Sequence, residues 1–207
     1  KLQQNFCKQQ EYGGKRCFCT LSAGYAAYPE DGGNYLELFK RDNYSLEYAK
    51  IMGKKRMTVF SGNILADRER RLELMELLRE SVERGFAGFS IHYQPQADTL
   101  SGRLCGAEAL ARWHCGKYGD VSPGEFIPLM EQSGLIVPFG QWILSHGMAQ
   151  CLEWCRSRPD FQISVNLSYL QLSQGDFISF LRTALEENSL DPSRLIMELT
   201  ETYLAKA

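Results

Sequence analysis

Glu108 and Arg112 lie in the run GAEALARW, Gly106 to Trp113, and the chemistry open to them depends on whether that run is extended. In a strand, side chains alternate between faces, so Glu108, Leu110 and Arg112 share one face, with Ala107, Ala109, Ala111 and Trp113 on the other. A rise of about 3.3 Å per residue then sets carboxylate and guanidinium roughly 13 Å apart, a span that suits a metal ion at one end and a phosphate at the other. Asn166 holds a comparable place in FQISVNLS, Phe161 to Ser168, on the face it shares with Gln162, Ser164 and Ser168. Glu198 does so in RLIMELT, Arg194 to Thr200, together with Ile196 and Thr200. Asn166 and Glu198 fall late in their runs and Glu108 near the middle of its own, and oxygen donors on three successive strands can converge on one hard cation.

The elements that must position these residues are legible around them. FSIHYQ at Phe89 to Gln94 and the run from Leu104 to Trp113 are strand candidates joined by a short loop with Asp98, Ser101 and Gly102, which predicts an antiparallel hairpin. Ser122-Pro123-Gly124-Glu125 is a capping box with proline at the first helical position, so a helix should run to about Gly134. Further helices are expected over about Phe139 to Arg156 and Asp176 to Asn188, with the Phe161 and Arg194 strands between and after them. Strand, helix, strand, helix, strand implies βαβ units and a parallel sheet, an α/β fold. In closed barrels of that class, polar residues at the C-terminal ends of strands do the chemistry.

The first part of the chain reads differently. Residues 1 to 12 are expected to end a helix, with Leu2 and Phe6 at i,i+4 and Gly13-Gly14 as its stop. A β-like run from Cys17 to Tyr28 leads to the turn cluster Pro29-Glu30-Asp31-Gly32-Gly33. A helix from about Asn34 to Met52 follows, closed by Gly53, then a short strand from Met57 to Phe60. The charged helix from Ile64 to Arg84 reads as a connector, which puts a domain boundary near residue 62.

Bulk properties narrow the partners. The 207 residues carry a formal net charge of −2, which argues against a broad basic surface for DNA or RNA polymers; a nucleotide would be held by local cations or metal ions. Seven cysteines, an odd count with no secretory signal before them, read as reduced cytoplasmic thiols, and a zinc site at Cys17-x-Cys19 or Cys151 with Cys155 would need a distant partner pair. No run approaches the roughly 20 apolar residues of a membrane span, so no membrane contact is expected from this segment. Opening on Lys1 and stopping at Ala207 just past a strand-like run, the chain reads as a piece of a longer protein, whose absent upstream region could carry a membrane anchor.

Residues 89 to 207 resemble the first half of the EAL domain, the family of cyclic di-GMP phosphodiesterases. The resemblance rests on YQPQ at Tyr93 to Gln96, GAEALARW, SPGEFIPLMEQSGLI at Ser122 to Ile136, SVNLS at Ser164 to Ser168 and MELTET at Met197 to Thr202. Five motifs in the family's order are specific where Glu108-Ala109-Leu110 alone is not. Less closely, residues 1 to 61 resemble the C-terminal part of a GGDEF, or diguanylate cyclase-like, domain through SAGYAAYP at Ser22 to Pro29 and RDNYSLEYAKIMGKKRMTVF at Arg41 to Phe60. The family's signature loop is absent, Asn43 and Glu47 depart from its usual aspartate and tyrosine, and Lys50 matches a lysine near the nucleotide phosphates. The domains expected on this resemblance are residues 1–61, a linker helix over 62–88, and the N-terminal half of an EAL domain over 89–207.

The resemblance implies a modified, here partial, (β/α)8 barrel of TIM type with an antiparallel first strand. It implies Glu108, Asn166 and Glu198 as ligands for Mg²⁺ or Mn²⁺, Arg112 and the backbone near Leu110 as phosphate contacts, and Gln94 as a residue lining the dinucleotide cleft. The implied reaction is two-metal hydrolysis, in which an activated water attacks one phosphodiester of cyclic di-GMP in line and yields linear pGpG. It also implies a homodimer through the EAL domain. The expected second half of the barrel, with the family's paired aspartates, lysine and later glutamate, is not in the chain, so the chain alone is expected to be inactive. The alternative reading is a receptor or regulatory module that captures cyclic di-GMP without cleaving it. Simpler roles compete at single positions: Asn166 is also suited to cap a turn, His92 and His114 are ordinary strand or loop histidines, and Trp113, Trp142 and Trp154 suit packing. Glu201 falls on the opposite strand face from Glu198.

Overall fold

The computed structural model describes residues 10–17, 20–173 and 176–199. Contacts divide the chain into two units, Lys1–Glu73 and Leu74–Ala207. The division falls inside one helix, and each unit is taken by itself.

In the first unit, β1 (Gln10–Tyr12) and β2 (Lys15–Cys17) form an antiparallel hairpin. At residues 10–12 this corrects the helix expected over residues 1 to 12; residues 1–9 of that expectation, and Cys19, lie outside the described residues. Gly13 and Gly14 both take positive φ, 57° and 74°, which fits a two-residue turn of the mirror-image type that matches strand twist. A glycine pair stops a helix or turns a hairpin equally well, so the local signal could not choose.

A βαβ arrangement follows. β3 (Ala23–Tyr25) runs parallel to β4 (Met57–Val59), and α1 (Tyr35–Ile51) crosses between them. Asn34 caps the helix by accepting from the Glu37 backbone N–H at 3.0 Å. Glu37 in turn accepts from the Gly33 N–H at 2.9 Å, and that bond, with a side-chain hydrogen bond from Asn34 to the carboxyl itself, holds the carboxyl below the usual carboxylate range. Gly24 lets β3 lie directly on this helix, since a Cβ there would meet the Leu46 nitrogen at 2.3 Å. Arg68 in α2 (Gly62–Glu83) pairs with Glu47 and lies over the Tyr44 ring.

The second unit is built on a five-stranded mixed sheet. β5 (Phe89–Ala97) and β6 (Leu104–Cys115) pair antiparallel, as the hairpin signal predicts. β8 (Gln162–Leu167) joins the other side of β6 in parallel, and β9 (Leu195–Leu199) adds in parallel to β8. A short β7 (Gly119–Val121) folds back on the end of β6. α3 (Pro123–Ser133) starts where the capping box places it, with the Ser122 hydroxyl accepting from the Gly124 N–H at 3.3 Å and Gly134 ending the helix at φ 78°. α4 (Ile136–Cys155) carries the crossover back to β8. α5 (Tyr169–Ser173), α6 (Phe177–Glu187) and a 3-10 turn at Pro192–Arg194 complete the described unit.

One face of this sheet is covered. Ala109, Ala111 and Trp113 of β6 and Ile163, Val165 and Leu167 of β8 pack with Phe126, Leu129 and Met130 of α3 and Phe139, Leu144 and Met148 of α4. Phe89 stacks on Trp113 at 5.6 Å between centroids and meets Phe126 edge-on at 5.7 Å. Each large side chain fully buried this way contributes about 1.5–3 kcal/mol, so this layer holds the sheet and fixes the register of β6. Among the described residues, no helix is long and apolar enough to cross a membrane.

Candidate functional site

The register that buries Ala109 and Val165 turns their neighbours outward. Glu108, Leu110 and Arg112 keep partial exposure on β6, while Ala107, Ala109, Ala111 and Trp113 are buried, the alternation expected from the sequence. Residues paired directly across strands share a face. Gln94 lies opposite Glu108, Ser164 lies beside Glu108 on the parallel side, and Asn166 lies beside Glu198. Four strands thus bring Gln94, Glu108, Asn166 and Glu198 to one open face of the sheet.

Two of these residues touch. The Asn166 amide nitrogen donates to Glu108 Oε1 at 2.7 Å. With its nitrogen so used, the amide presents Oδ1 as an acceptor, and Glu108 retains its second oxygen. Glu198 adds another carboxylate from the neighbouring strand. These are hard oxygen donors of the kind Mg²⁺ and Mn²⁺ take, with Glu108 and Glu198 half-exposed and Asn166 exposed on the open face. Among the described residues, no three His, Cys, Asp or Glu side chains group closely enough to hold an ion.

Arg112 does not pair with Glu108. Its guanidinium donates to the carbonyl of Ala111 at 2.8 Å, which leaves further N–H groups for an anion. Leu110 stands between the two on the same face, as the two-residue period requires. Thr200 and Glu201 lie outside the described residues.

Sequence reasoning missed the floor of this site. Gln96 reaches across Gly106 and donates to the Ser164 hydroxyl at 3.3 Å, and Ser164 is almost wholly buried there. A Cβ at Gly106 would sit 3.2 Å from Gln96 Oε1 and 2.7 Å from the Gln162 carbonyl, so the glycine is what lets the crossing happen. The signal was a glycine inside a strand, which marks a close approach. Also missed was the anchoring of Ser168, whose hydroxyl donates to Glu131 Oε1 at 2.7 Å.

Cys17 and Cys105 are exposed, Cys115 and Cys151 buried, and Cys155 intermediate, all of them free. Cys151 and Cys155 approach to 4.0 Å and share the Phe161 carbonyl, and burial pushes the Cys151 thiol up to about 12. Such a thiol is held protonated, which suits packing rather than nucleophilic work.

Comparison with known proteins bears on the family and the fold. The chain is 37% identical over 184 residues to the bifunctional diguanylate cyclase/cyclic di-GMP phosphodiesterase MucR of Pseudomonas aeruginosa, taking in 88% of this chain and 27% of that protein. It is 38% identical over 183 residues to an uncharacterised protein of Synechocystis, covering 88% of this chain and 26% of that one. The chain thus spans about a quarter of the length of these curated relatives. Among solved structures, a PaMucR phosphodiesterase in complex with c-di-GMP superposes with a TM-score of 0.59 at 38% identity, over 65% of this chain and 54% of that chain. The sequence profile of the EAL domain matches residues 75–207, more than half of the chain, and on that match the chain belongs to the EAL domain family.

Proposed function

We propose that the protein carrying this chain is a metal-dependent phosphodiesterase that hydrolyses cyclic di-GMP to linear pGpG. The observation that carries the reading is the hydrogen-bonded pair of Asn166 and Glu108, with Glu198 next to Asn166 in the ladder. In this reading Glu108, Asn166 and Glu198 hold Mg²⁺ or Mn²⁺, Arg112 and the backbone near Leu110 hold a phosphate, and Gln94 lines the dinucleotide cleft. Divalent ions bound there would lower the pKa of an attacking water and neutralise charge on the phosphoryl oxygens. Arg112 orients the phosphodiester through charge-assisted N–H bonds, and the Glu108–Asn166 bond fixes both donors before substrate arrives.

Support for the substrate comes from MucR, whose name includes cyclic di-GMP phosphodiesterase, and from the c-di-GMP complex that shares this fold at 38% identity. We read the second unit as part of a (β/α)8 barrel, the first as part of a degenerate GGDEF domain, and the intact protein as a homodimer. The test is chromatography of products after incubating the intact protein with cyclic di-GMP and Mg²⁺ or Mn²⁺. Linear pGpG should accumulate with the wild type and not with Glu108→Ala. Cyclic di-GMP binding without any product above the Glu108→Ala control would overturn the phosphodiesterase reading in favour of a receptor.

A further inference from the structure

The ladder that holds β8 against β6 stops short of Asn166. Its paired residues run from Gly106 with Gln162 to Ala109 with Val165. Beyond that point, among the described residues, β8 keeps only β9 as a ladder neighbour, through Asn166 with Glu198 and Leu167 with Leu199. Yet this last stretch carries the amide that bonds Glu108. On the β6 side, its end needs another anchor.

Ser168 supplies one, two residues beyond Asn166. Its backbone N–H donates to Gln171 Oε1 in α5 at 2.9 Å, and its hydroxyl donates to Glu131 Oε1 in α3 at 2.7 Å. The anchor is a buried one, with Ser168 only 7% and Gln171 only 4% exposed. Gln171 is itself fixed by α4. A Cβ at Gly140 would fall 1.7 Å from its Nε2, so only glycine leaves room for the side chain there. Glu131, Gly140, Ser168 and Gln171 line a cavity of about 280 Å³ that reaches Arg112 and Asn166.

Burying an amide and a hydroxyl at a strand end adds little stability that apolar packing would not supply, because their bonds to water are given up. What such bonds provide is direction, since their geometry is narrow. We propose that Ser168, Glu131 and Gln171 are positioning residues that hold the end of β8 so that the Asn166 amide meets Glu108. The metal arm of the test rests on the proposed reading of Glu108, Asn166 and Glu198 as cation ligands; the geometric arm does not.

The intact protein, labelled with ¹⁵N-asparagine, is followed through the side-chain amide signals of Asn166, identified by their loss in Asn166→Asp. Free Mn²⁺ is titrated in parallel by electron paramagnetic resonance. Ser168→Ala and Glu131→Ala should shift or broaden the Asn166 pair, and Glu131→Gln, which keeps an accepting oxygen, should restore it. Mn²⁺ affinity should fall about tenfold in both alanine variants, the lower end of what loss of an outer-shell partner costs a metal site. Should Ser168→Ala fail to fold, the Glu131→Ala and Glu131→Gln pair decides. An Asn166 signal unmoved in the folded alanine variants, or indistinguishable between Glu131→Ala and Glu131→Gln, overturns the proposal and leaves the cation reading standing. A wild type that binds no Mn²⁺, with Asn166 signals that still move in the alanine variants and return in Glu131→Gln, removes the cation reading and supports the positioning role.

Discussion

On the covered face of β6, Ala109, Ala111 and Trp113 are buried against α3 and α4, whereas one step along the same strand Glu108, Leu110 and Arg112 remain partly open. β8 repeats the contrast, with Ile163, Val165 and Leu167 buried and Asn166 exposed. The two faces share one backbone and one register, so anything that fixes the covered face also aims the open one. Half-exposed polar groups contribute little to stability, so on the proposed reading the open face serves chemistry and the covered face packing. Substitutions should separate accordingly.

The largest stability effect is expected on the covered face. Trp113→Ala removes the stacking partner of Phe89 and the indole N–H bond to the Ser81 hydroxyl at 3.3 Å, and should cost about 3–5 kcal/mol in denaturant unfolding. A cost below about 1 kcal/mol would break the distinction between faces. Arg112→Ala, its near neighbour on the open face, should shift unfolding by no more than about 0.5 kcal/mol. The same variant should weaken cyclic di-GMP binding by roughly 10–100-fold, the worth of a charge-assisted hydrogen bond, as read by calorimetric titration.

Smaller effects test what frames the sheet. Ser122→Ala removes the cap of α3 and should cost about 1 kcal/mol, with a thermal melt as the check. At acid pH, the cap of α6 provides a finer probe. Asp176 accepts from Ser179, and those bonds lower its pKa from the ordinary 3.8. A carboxyl whose folded pKa is depressed stabilises above its unfolded value and loses that contribution as pH falls through the folded one. Asp176→Asn keeps the capping oxygen without the charge, so its unfolding midpoint should fall less on acidification than the wild type's. An identical acid-side slope in both proteins would contradict this.

Much of the second unit was legible because its signals are local. The two-residue alternation in GAEALARW set the faces of β6, and Ser122-Pro123-Gly124-Glu125 set the start of α3. The same alternation placed Asn166 and Glu198 on faces that the parallel register then aligned. What escaped depends on partners far along the chain. Gly140 looks like a weak spot in a helix until Gln171 lies against it, and Gly106 like a weak spot in a strand until Gln96 crosses it. β7 is only a three-residue strand, too short to show a period, and exists because β6 extends past β8 far enough to pair with it. Gly13-Gly14 was misread for a related reason, since what distinguishes hairpin from helix stop is the strand that returns.

In the proposed reaction the open face works through the charge of its carboxylates. Glu108→Gln isolates that property, because an amide oxygen still accepts from Asn166 while the negative charge is gone. The deciding measurement is the rate of cyclic di-GMP hydrolysis by the intact protein across a Mn²⁺ titration. Glu108→Gln should lower the maximal rate by about a hundredfold or more, in the range of losing one preorganised electrostatic group, while melting within a few degrees of the wild type. A Glu108→Gln protein that turns over at the wild-type rate with the same Mn²⁺ dependence would contradict that role of the charge.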